Sequence, residues 1–183
     1  MRLFIAILLD EDIKNSVYDI IGNFKSIAAG SFTHRDNLHL TVNFIGETKR
    51  LEEVKQAMHQ AVDRTKTGSF RLSIGGFGRF RRREGDICWI GVEREDSLWR
   101  LQKELVKELK EAGFFDIDDG EYKPHLTLGR RVKPRDNFMT GDFEATIRPM
   151  QMEAKKISLM KSERIQGKLV YTEIYHIKLE PSF

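Results

Sequence analysis

The sequence predicts an α+β fold, and two observations lead to this class. First, segments with helical periodicity and segments with strand periodicity follow one another along the chain. Second, the tetrapeptide His39-Leu40-Thr41-Val42 recurs 86 positions later as His125-Leu126-Thr127-Leu128. Because a motif with a histidine and a threonine occurs twice in 183 residues, we expect the two copies to form two halves of one site. Because no long linker divides the chain, we expect one domain over residues 1–183.

The elements before the first motif are predicted to be an apolar strand and an amphipathic helix. The strand covers Leu3–Leu9, which is too short to span a membrane. Asp10 is suited to cap a helix that runs to about Ala28, followed by a polar loop. The apolar residues of this helix recur at helical spacing: Ile13, Val17, Ile20, Phe24 and Ile27.

The segment between the motifs is predicted to hold two helices and two short strands. Apolar residues recur at helical spacing in both helices, and Gly113 is a suitable stop for the second. The helices cover residues 51–65 and 96–112, and the strands cover 70–74 and 87–92.

The glycine-rich segment 75–78 lies between these two strands. It lacks the Lys-Ser/Thr ending of a phosphate-binding loop, so we assign it to a turn. Beyond the second motif, residues 133–142 are polar and form a connection, and residues 156–161 and 168–179 alternate as strands do.

The two motifs have the pattern of strands with one polar face and one buried face. Side chains at i and i+2 of a strand share a face, so His39 lies beside Thr41 and His125 beside Thr127. The opposite faces carry only apolar residues, which anchor a strand on a core: Leu38, Leu40, Val42 and Phe44, and Leu126 and Leu128.

Two imidazoles and two hydroxyls at one centre suit the chemistry of a phosphate ester. The pKa of histidine, near 6.5, allows one ring to act as base while the other acts as acid. A threonine hydroxyl donates to a phosphate oxygen and remains neutral. With only two histidines in the motifs and no cysteine beside them, the site does not resemble a zinc centre, so we expect no metal and no cofactor.

Composition fits a small folded protein of mildly basic character. The chain is 40% hydrophobic and has a formal net charge of +3. Its single cysteine, Cys88, lies in an apolar run and is expected to be buried, and we expect a cytoplasmic monomer without membrane contact. Phe77 and Phe80 fit either a core or a base-stacking role.

Two clusters of cations could attract phosphates. The first is equally compatible with a solvated turn, whereas the second adjoins the second motif and is the better candidate. The clusters are Arg79, Arg81, Arg82 and Arg83, and Arg130, Arg131, Lys133 and Arg135.

The motifs and their surroundings resemble the 2H phosphoesterase superfamily, in particular its RNA 2',3'-cyclic phosphodiesterase branch, the 2'-5' RNA ligase family. The likeness rests on segments 2–7, 37–47 and 124–130, in order and spacing, and covers nearly the whole chain. It departs after Ile7, where the family often has an acidic residue, Leu and Pro, and this chain has Leu8-Leu9-Asp10. The resemblance implies two pseudo-symmetric lobes of antiparallel sheet with outer helices and a central cleft.

The resemblance also implies an enzyme that hydrolyses RNA 2',3'-cyclic phosphate ends to 2'-phosphates. His39 would be the proton donor and His125 the proton acceptor, with Thr41, Thr127 and Arg130 holding the phosphate. Strict alternation places Arg130 on the wrong face, which a bulge at Gly129 or a long reach would correct. Ligation of 2'-5' RNA would be the reverse reaction.

Two other functions remain open. The first is the same chemistry on another small cyclic nucleotide, such as a cyclic phosphate of ADP-ribose. The second is a non-catalytic module that binds nucleotides or RNA; two intact motifs favour an enzyme over this module.

Overall fold

The computed structural model describes residues 1–181, so residues 182 and 183 of the predicted domain lie outside the described part. The strands are β1 (Arg2–Leu8), β2 (Ala28–Phe32), β3 (His39–Glu47), β4 (Phe70–Phe80), β5 (Asp86–Val92), β6 (His125–Pro134), β7 (Met150–Ala154), β8 (Lys156–Ile165) and β9 (Lys168–Lys178). The helices are α1 (Glu11–Lys25), α2 (Leu51–Thr65), α3 (Asp96–Glu111) and α4 (Thr140–Ala145), with a 3-10 turn over Arg35–Asn37.

The strands form two antiparallel sheets, and each sheet contains one motif strand. The four-stranded sheet has the order β3-β1-β8-β9, and the five-stranded sheet has the order β2-β6-β5-β4-β7. Helices α2 and α3 contact β9 and β3 of the four-stranded sheet, whereas α1 and α4 contact β2 and β4 of the five-stranded sheet. The α+β class with two antiparallel sheets and outer helices is therefore confirmed.

One continuous hydrophobic core joins both sheets and the four helices. In β1, the side chains of Leu3, Ile5 and Ile7 are fully buried on the core face. Cys88 of β5 is also buried, as expected, and burial raises the pKa of its thiol to about 11. A neutral thiol in this setting packs as a small apolar group.

The structure corrects the predicted end of the first helix. Helix α1 ends at Lys25, not near Ala28, and the predicted polar loop contains the strand β2. Ala28 is the one fully buried residue of this strand, so the sequence has no apolar alternation to reveal it. The strand forms because its backbone pairs with β6 at the sheet edge.

The glycine-rich segment 75–78 is not a turn, because β4 continues through it to Phe80. Gly78 lies opposite Trp89 of β5, and the indole ring lies across the glycine. A Cβ at position 78 would clash with that ring. Glycine inside a strand here marks a close approach rather than a chain reversal.

The region after the second motif is also more ordered than predicted. Strand β6 extends to Pro134, and the short helix α4 begins at Thr140, inside the predicted connection. Strand β7 has only two buried residues, Met152 and Ala154, and its pairing with β4 is what defines it. The two C-terminal strands are confirmed, and β8 runs further than predicted, to Ile165.

We predict that Gly78→Ala lowers the free energy of unfolding by about 1–3 kcal/mol, the usual effect of overpacking. The matched control is Gly22→Ala in α1, where a Cβ meets nothing within 4 Å and alanine favours the helix by roughly 0.5–1 kcal/mol. Urea unfolding measures both. Equal stability of the two variants would contradict the close approach of Trp89.

Candidate active site

Both motif histidines stand at the first position of a strand, and both motif threonines follow on the same face. His39 and Thr41 are half-buried in β3, while Leu40 between them is fully buried. His125 and Thr127 are likewise half-buried in β6, on either side of the fully buried Leu126. Burial of the alternate leucines forces the polar side chains onto the opposite face.

A β-bulge in β6 brings Arg130 to the face of the second motif. Thr127 pairs with Trp89 and Gly129 with Cys88, so Leu128 and Gly129 together span one step of β5. Both bulged residues are buried, and Arg130 is exposed. The extra residue restores Arg130 to the side of His125 and Thr127. Of the two routes considered from the sequence, the bulge is the one present.

The hydrogen bonds of the two rings fix which nitrogen of each is available. Nδ1 of His39 lies 2.7 Å from the carbonyl oxygen of Asn37, and Nδ1 of His125 lies 2.7 Å from that of Lys123. A carbonyl only accepts, so Nδ1 carries the hydrogen in both rings. Nε2 is the remaining nitrogen of each neutral ring.

The two Nε2 atoms differ in their partners. Nε2 of His39 lies 2.8 Å from Oγ1 of Thr41, which donates to the neutral ring and accepts from the protonated one. Among residues 1–181, Nε2 of His125 has no hydrogen-bond partner. Nε2 of His125 is therefore unoccupied, whereas Nε2 of His39 is hydrogen-bonded to the hydroxyl of Thr41.

Burial and positive charge lower the pKa of both histidines. Desolvation is the larger cause for each ring, and the charge of Arg130 lowers the pKa of both. A protonated His125 further lowers the pKa of His39. The two rings and the guanidinium of Arg130 thus lie close enough to interact, although they come from different sheets.

Aromatic side chains enclose each histidine on its own sheet. Around His39, the ring of Phe4 lies at 4.8 Å and that of Tyr171 at 5.2 Å between centroids. Burial raises the pKa of Tyr171, against the opposing charges of Arg130 and Arg2. The apolar wall limits water near the ring and accounts for its desolvation.

The second histidine has an equivalent wall. The ring of Phe80 lies 5.1 Å and that of Trp89 5.9 Å from the ring of His125. Phe77, the other aromatic residue considered from the sequence, packs in the core against Phe24 and Phe143 instead.

Two hydroxyl groups bind the backbone carbonyls of the motif strands. Oη of Tyr122, just before the second motif, donates to the carbonyl of Thr41 at 2.9 Å. Oγ1 of Thr33, just before the first motif, donates to the carbonyl of Thr127 at 2.7 Å. Burial raises the pKa of Tyr122 and keeps its hydroxyl neutral. Each motif is thus held by the segment that leads into the other.

The remaining histidines have other partners. His34 is exposed, and its Nδ1 accepts weakly from the backbone of Asp36. His59 of α2 bonds Oη of Tyr175, and His176 of β9 lies 3.4 Å from a carboxylate oxygen of Glu173. None of them contacts a motif residue within the described chain.

The first cationic cluster is partly neutralised. Arg79 and Arg81 approach a carboxylate oxygen of Asp86 at 3.7 and 3.3 Å. The guanidinium of Arg82 lies 6.0 Å from the ring centre of Phe80, beside the second histidine. In the second cluster, the backbone of Arg131 has a positive φ of 52°, and its guanidinium donates a hydrogen bond to the hydroxyl of Ser31.

Within residues 1–181, no three His, Cys, Asp or Glu side chains are grouped so that they could bind a metal ion. No helix in this part of the chain is long and apolar enough to cross a membrane.

Sequence reasoning missed the side chains that support the motifs. Phe4 and Tyr171 were not singled out, nor was Trp89, and neither were the hydroxyls of Thr33 and Tyr122. One signal in the sequence could have indicated them. Strand β1 is apolar on both faces, and a strand of this kind needs other side chains packed against each face.

Two facing sheets that each contribute a His-x-Thr strand define the class of two-histidine phosphoesterases. The profile of the 2'-5' RNA ligase superfamily matches residues 19–166, so the chain belongs to that superfamily.

Named relatives and solved structures agree with this placement. The chain is 28% identical over 182 residues to an RNA 2',3'-cyclic phosphodiesterase of Thermotoga maritima, covering 98% of this chain and 96% of the relative. It is 32% identical over 131 residues to an RNA 2',3'-cyclic phosphodiesterase of Archaeoglobus fulgidus, and the match covers 71% of this chain and 72% of the relative. A phosphoesterase crystal structure superposes with a TM-score of 0.75 at 25% identity, covering 98% of this chain and 99% of the other. The crystal structure of E. coli LigT complexed with 3'-AMP shares the fold, with a TM-score of 0.73 at 24% identity. The superposition covers 97% of this chain and 96% of the LigT chain.

We predict that Arg130→Gln raises the pKa of both His39 and His125, because the substitution removes a positive charge that disfavours their protonated forms. An NMR titration of the imidazole resonances measures this. Lys133→Gln, an exposed change of equal charge in the same strand, should leave both unchanged. If the pKa of neither histidine rises, Arg130 does not lie close to the two rings.

We predict that Tyr122→Phe lowers the free energy of unfolding by about 1 kcal/mol, since it leaves the Thr41 carbonyl without its donor. Thr33→Val should have a similar effect on the Thr127 carbonyl. Tyr18→Phe, on the exposed surface of α1, serves as control. Denaturant unfolding of the three variants tests the connection; equal stabilities would argue against it.

Proposed function

We propose that this protein hydrolyses RNA ends bearing a 2',3'-cyclic phosphate and leaves a 2'-phosphate. The observation that carries the proposal is the pair of Nε2 atoms, one open and one held by a threonine, beside a shared arginine. The names of the relatives support RNA as the substrate. A 2'-5' ligation would be the same step in reverse, and water favours hydrolysis by mass action.

In the proposed step, Nε2 of His125 removes a proton from water as the water oxygen attacks phosphorus. The bond from phosphorus to the ribose 3'-oxygen breaks, and His39 gives its Nε2 proton to that oxygen. The product has a 3'-hydroxyl and a 2'-phosphate. The open Nε2 of His125 suits contact with water, and Nε2 of His39 next to Thr41 suits the proton donor.

The other polar groups stabilise the charge that develops on the phosphate. The hydroxyls of Thr41 and Thr127 share the face of the histidines and can donate to non-bridging oxygens. Arg130 supplies positive charge to the five-coordinate transition state. Its charge also lowers the pKa of His39, and the bound phosphate anion offsets that effect and favours the protonated donor.

The test is turnover of a short RNA with a 2',3'-cyclic phosphate end, with the phosphate position in the product identified by NMR. His39→Ala and His125→Ala should each lower the rate by about 10²–10⁴-fold, the usual contribution of general acid–base groups. His59→Ala, on α2, is the matched control and should retain the wild-type rate. An inert wild type, or a 3'-phosphate product, would refute the proposal.

We predict a bell-shaped pH dependence of kcat/KM that does not require metal. Activity needs one neutral and one protonated histidine, and both pKa values lie below 6.5 in the free protein, so the maximum should lie below pH 6.5. The rate should be equal with and without a chelator. Loss of activity in chelator and recovery with zinc would contradict a mechanism based on the side chains alone.

A further inference from the structure

We propose that Asn37 positions His39 for proton donation, through the 3-10 turn that precedes the first motif strand. This inference rests on the proposed function, because it assigns a positioning residue to the proton donor of that reaction. The backbone of Asn37 binds the imidazole of His39, and its side chain binds a strand near the other end of the chain. The two contacts together connect the orientation of the ring to the fold around it.

Two hydrogen bonds orient the imidazole of His39. Nδ1 donates to the carbonyl of Asn37 at 2.7 Å, and Nε2 lies 2.8 Å from Oγ1 of Thr41. Because the planar ring is held at both nitrogens, the place of the Asn37 carbonyl determines where Nε2 points. Burial lowers the pKa of His39, and the carbonyl of Asn37 opposes this effect because it stabilises the protonated ring.

The side-chain amide of Asn37 attaches this carbonyl to β9. Nδ2 donates to the carbonyl of Leu169 at 2.9 Å, across 132 positions of the sequence. Two residues further along β9, the ring of Tyr171 lies 5.2 Å from that of His39. Strand β9 therefore contacts both the imidazole and the residue that orients it.

A second side chain holds the first residue of the same turn. Nε and Nη2 of Arg35 donate to Oδ1 of Asn15 at 2.9 and 2.7 Å, and Nη2 donates to a carboxylate oxygen of Glu11 at 2.6 Å. Both partners belong to α1, which contacts the five-stranded sheet, whereas β9 belongs to the four-stranded sheet. The turn is thus attached to both halves of the fold.

Lys123, the equivalent residue of the second motif, is held differently. Its carbonyl also binds Nδ1 of the following histidine, His125, at 2.7 Å. Its ammonium, however, lies 3.3 Å from a carboxylate oxygen of Glu121, two residues earlier, and both side chains are largely exposed. An exposed ion pair between near neighbours stabilises little. The asymmetry matches the proposed roles, since the proton donor must face one oxygen of a bound substrate.

The contact with β9 requires a donor at the end of a short side chain. A backbone carbonyl only accepts, so an amide can bind it and a carboxylate cannot. Asn37→Leu removes the amide with little change of size, whereas Asn37→Asp keeps the shape and replaces the donor with an acceptor. The aspartate variant also adds a negative charge, which favours a protonated His39. The pKa of His39 should therefore be lower in the leucine variant than in the aspartate variant.

The first measurement is turnover of a short RNA with a 2',3'-cyclic phosphate end. Both variants should lower kcat by about 10–100-fold and leave KM within about twofold, because a small displacement of the donor affects the reaction and not substrate binding. A loss in both variants, despite their different charge, would reflect the placement of the ring. Asn23→Leu, on the exposed surface of α1, is the matched control and should retain the wild-type kcat.

The second measurement is nitrogen NMR of the imidazole rings, which reports the tautomer of each histidine and its pKa. In wild type, both rings should carry the hydrogen on Nδ1. In Asn37→Leu, His39 should populate both tautomers and its pKa should fall, because the carbonyl no longer stabilises the Nδ1 hydrogen. His125 should keep its wild-type tautomer, which also shows that the variant is folded.

Three results would overturn the inference. One is a wild-type kcat in both variants. Another is a lowered kcat with unchanged His39 resonances, and the third is an equal change in the tautomers of His39 and His125, which would indicate a general loss of structure. A wild type inert on the RNA would instead refute the proposed hydrolysis, and the NMR comparison would still test whether Asn37 orients His39.

Discussion

The burial of four aliphatic side chains determines where the polar groups of the site lie. Leu40 and Val42 anchor β3 in the core, and Leu126 and Leu128 anchor β6. Fully burying such a side chain contributes about 1.5–3 kcal/mol. A shift of one residue in either strand would expose these side chains and turn the histidine and threonine inward. The packing that stabilises the fold therefore also determines on which face the polar side chains of each motif lie.

The shared hydrophobic core packs the two sheets together, and polar contacts add to the placement of the motif strands. Oη of Tyr122 binds the backbone carbonyl of Thr41 in the four-stranded sheet, and Oγ1 of Thr33, directly after β2, binds that of Thr127 within the five-stranded sheet. These bonds involve the backbone carbonyls and do not engage the hydroxyls of Thr41 and Thr127. Proton transfer requires placement to within a fraction of an ångström, so bonds that hold the backbone of both motif strands have an evident use.

Arg130 shows how one residue has opposing effects. Its charge would stabilise the phosphate in the proposed reaction, yet it lowers the pKa of His39, the proposed proton donor. The bulge at Leu128–Gly129 makes this placement possible. A bulge at Val42–Asn43 in β3 places Phe44 in the equivalent position, so Phe44 is exposed and does not belong to the buried apolar row predicted for it. Two strands with the same geometry therefore present an arginine on one wall and an aromatic ring on the other.

The sequence predicted those elements whose hydrophobic pattern shows which of their side chains are buried. Helix α2 and both motif strands show clear periodicity, because each has one apolar face. Strands β2 and β7 escaped prediction because backbone pairing, not side-chain pattern, defines them. Gly78 was misassigned because the reason for glycine there is the ring of Trp89, which is distant in sequence.

The supporting residues of the site were missed for the same reason. Phe4 and Tyr171 meet His39 only after β1 and β9 enter the same sheet. The bulge that places Arg130 was one of two possibilities from the sequence, and pairing with β5 was needed to distinguish them. Local pattern thus predicts the motif residues and their shared face, whereas strand pairing determines what surrounds them.

In the proposed mechanism, two histidines from different sheets act on one phosphate. The most direct measurement is a crystal structure of the protein with adenosine 2'-phosphate, the product that the proposed step would release. We expect the phosphate to contact Nε2 of both His39 and His125 and the guanidinium of Arg130. A phosphate that contacts only one histidine, or that binds elsewhere on the sheets, would contradict it.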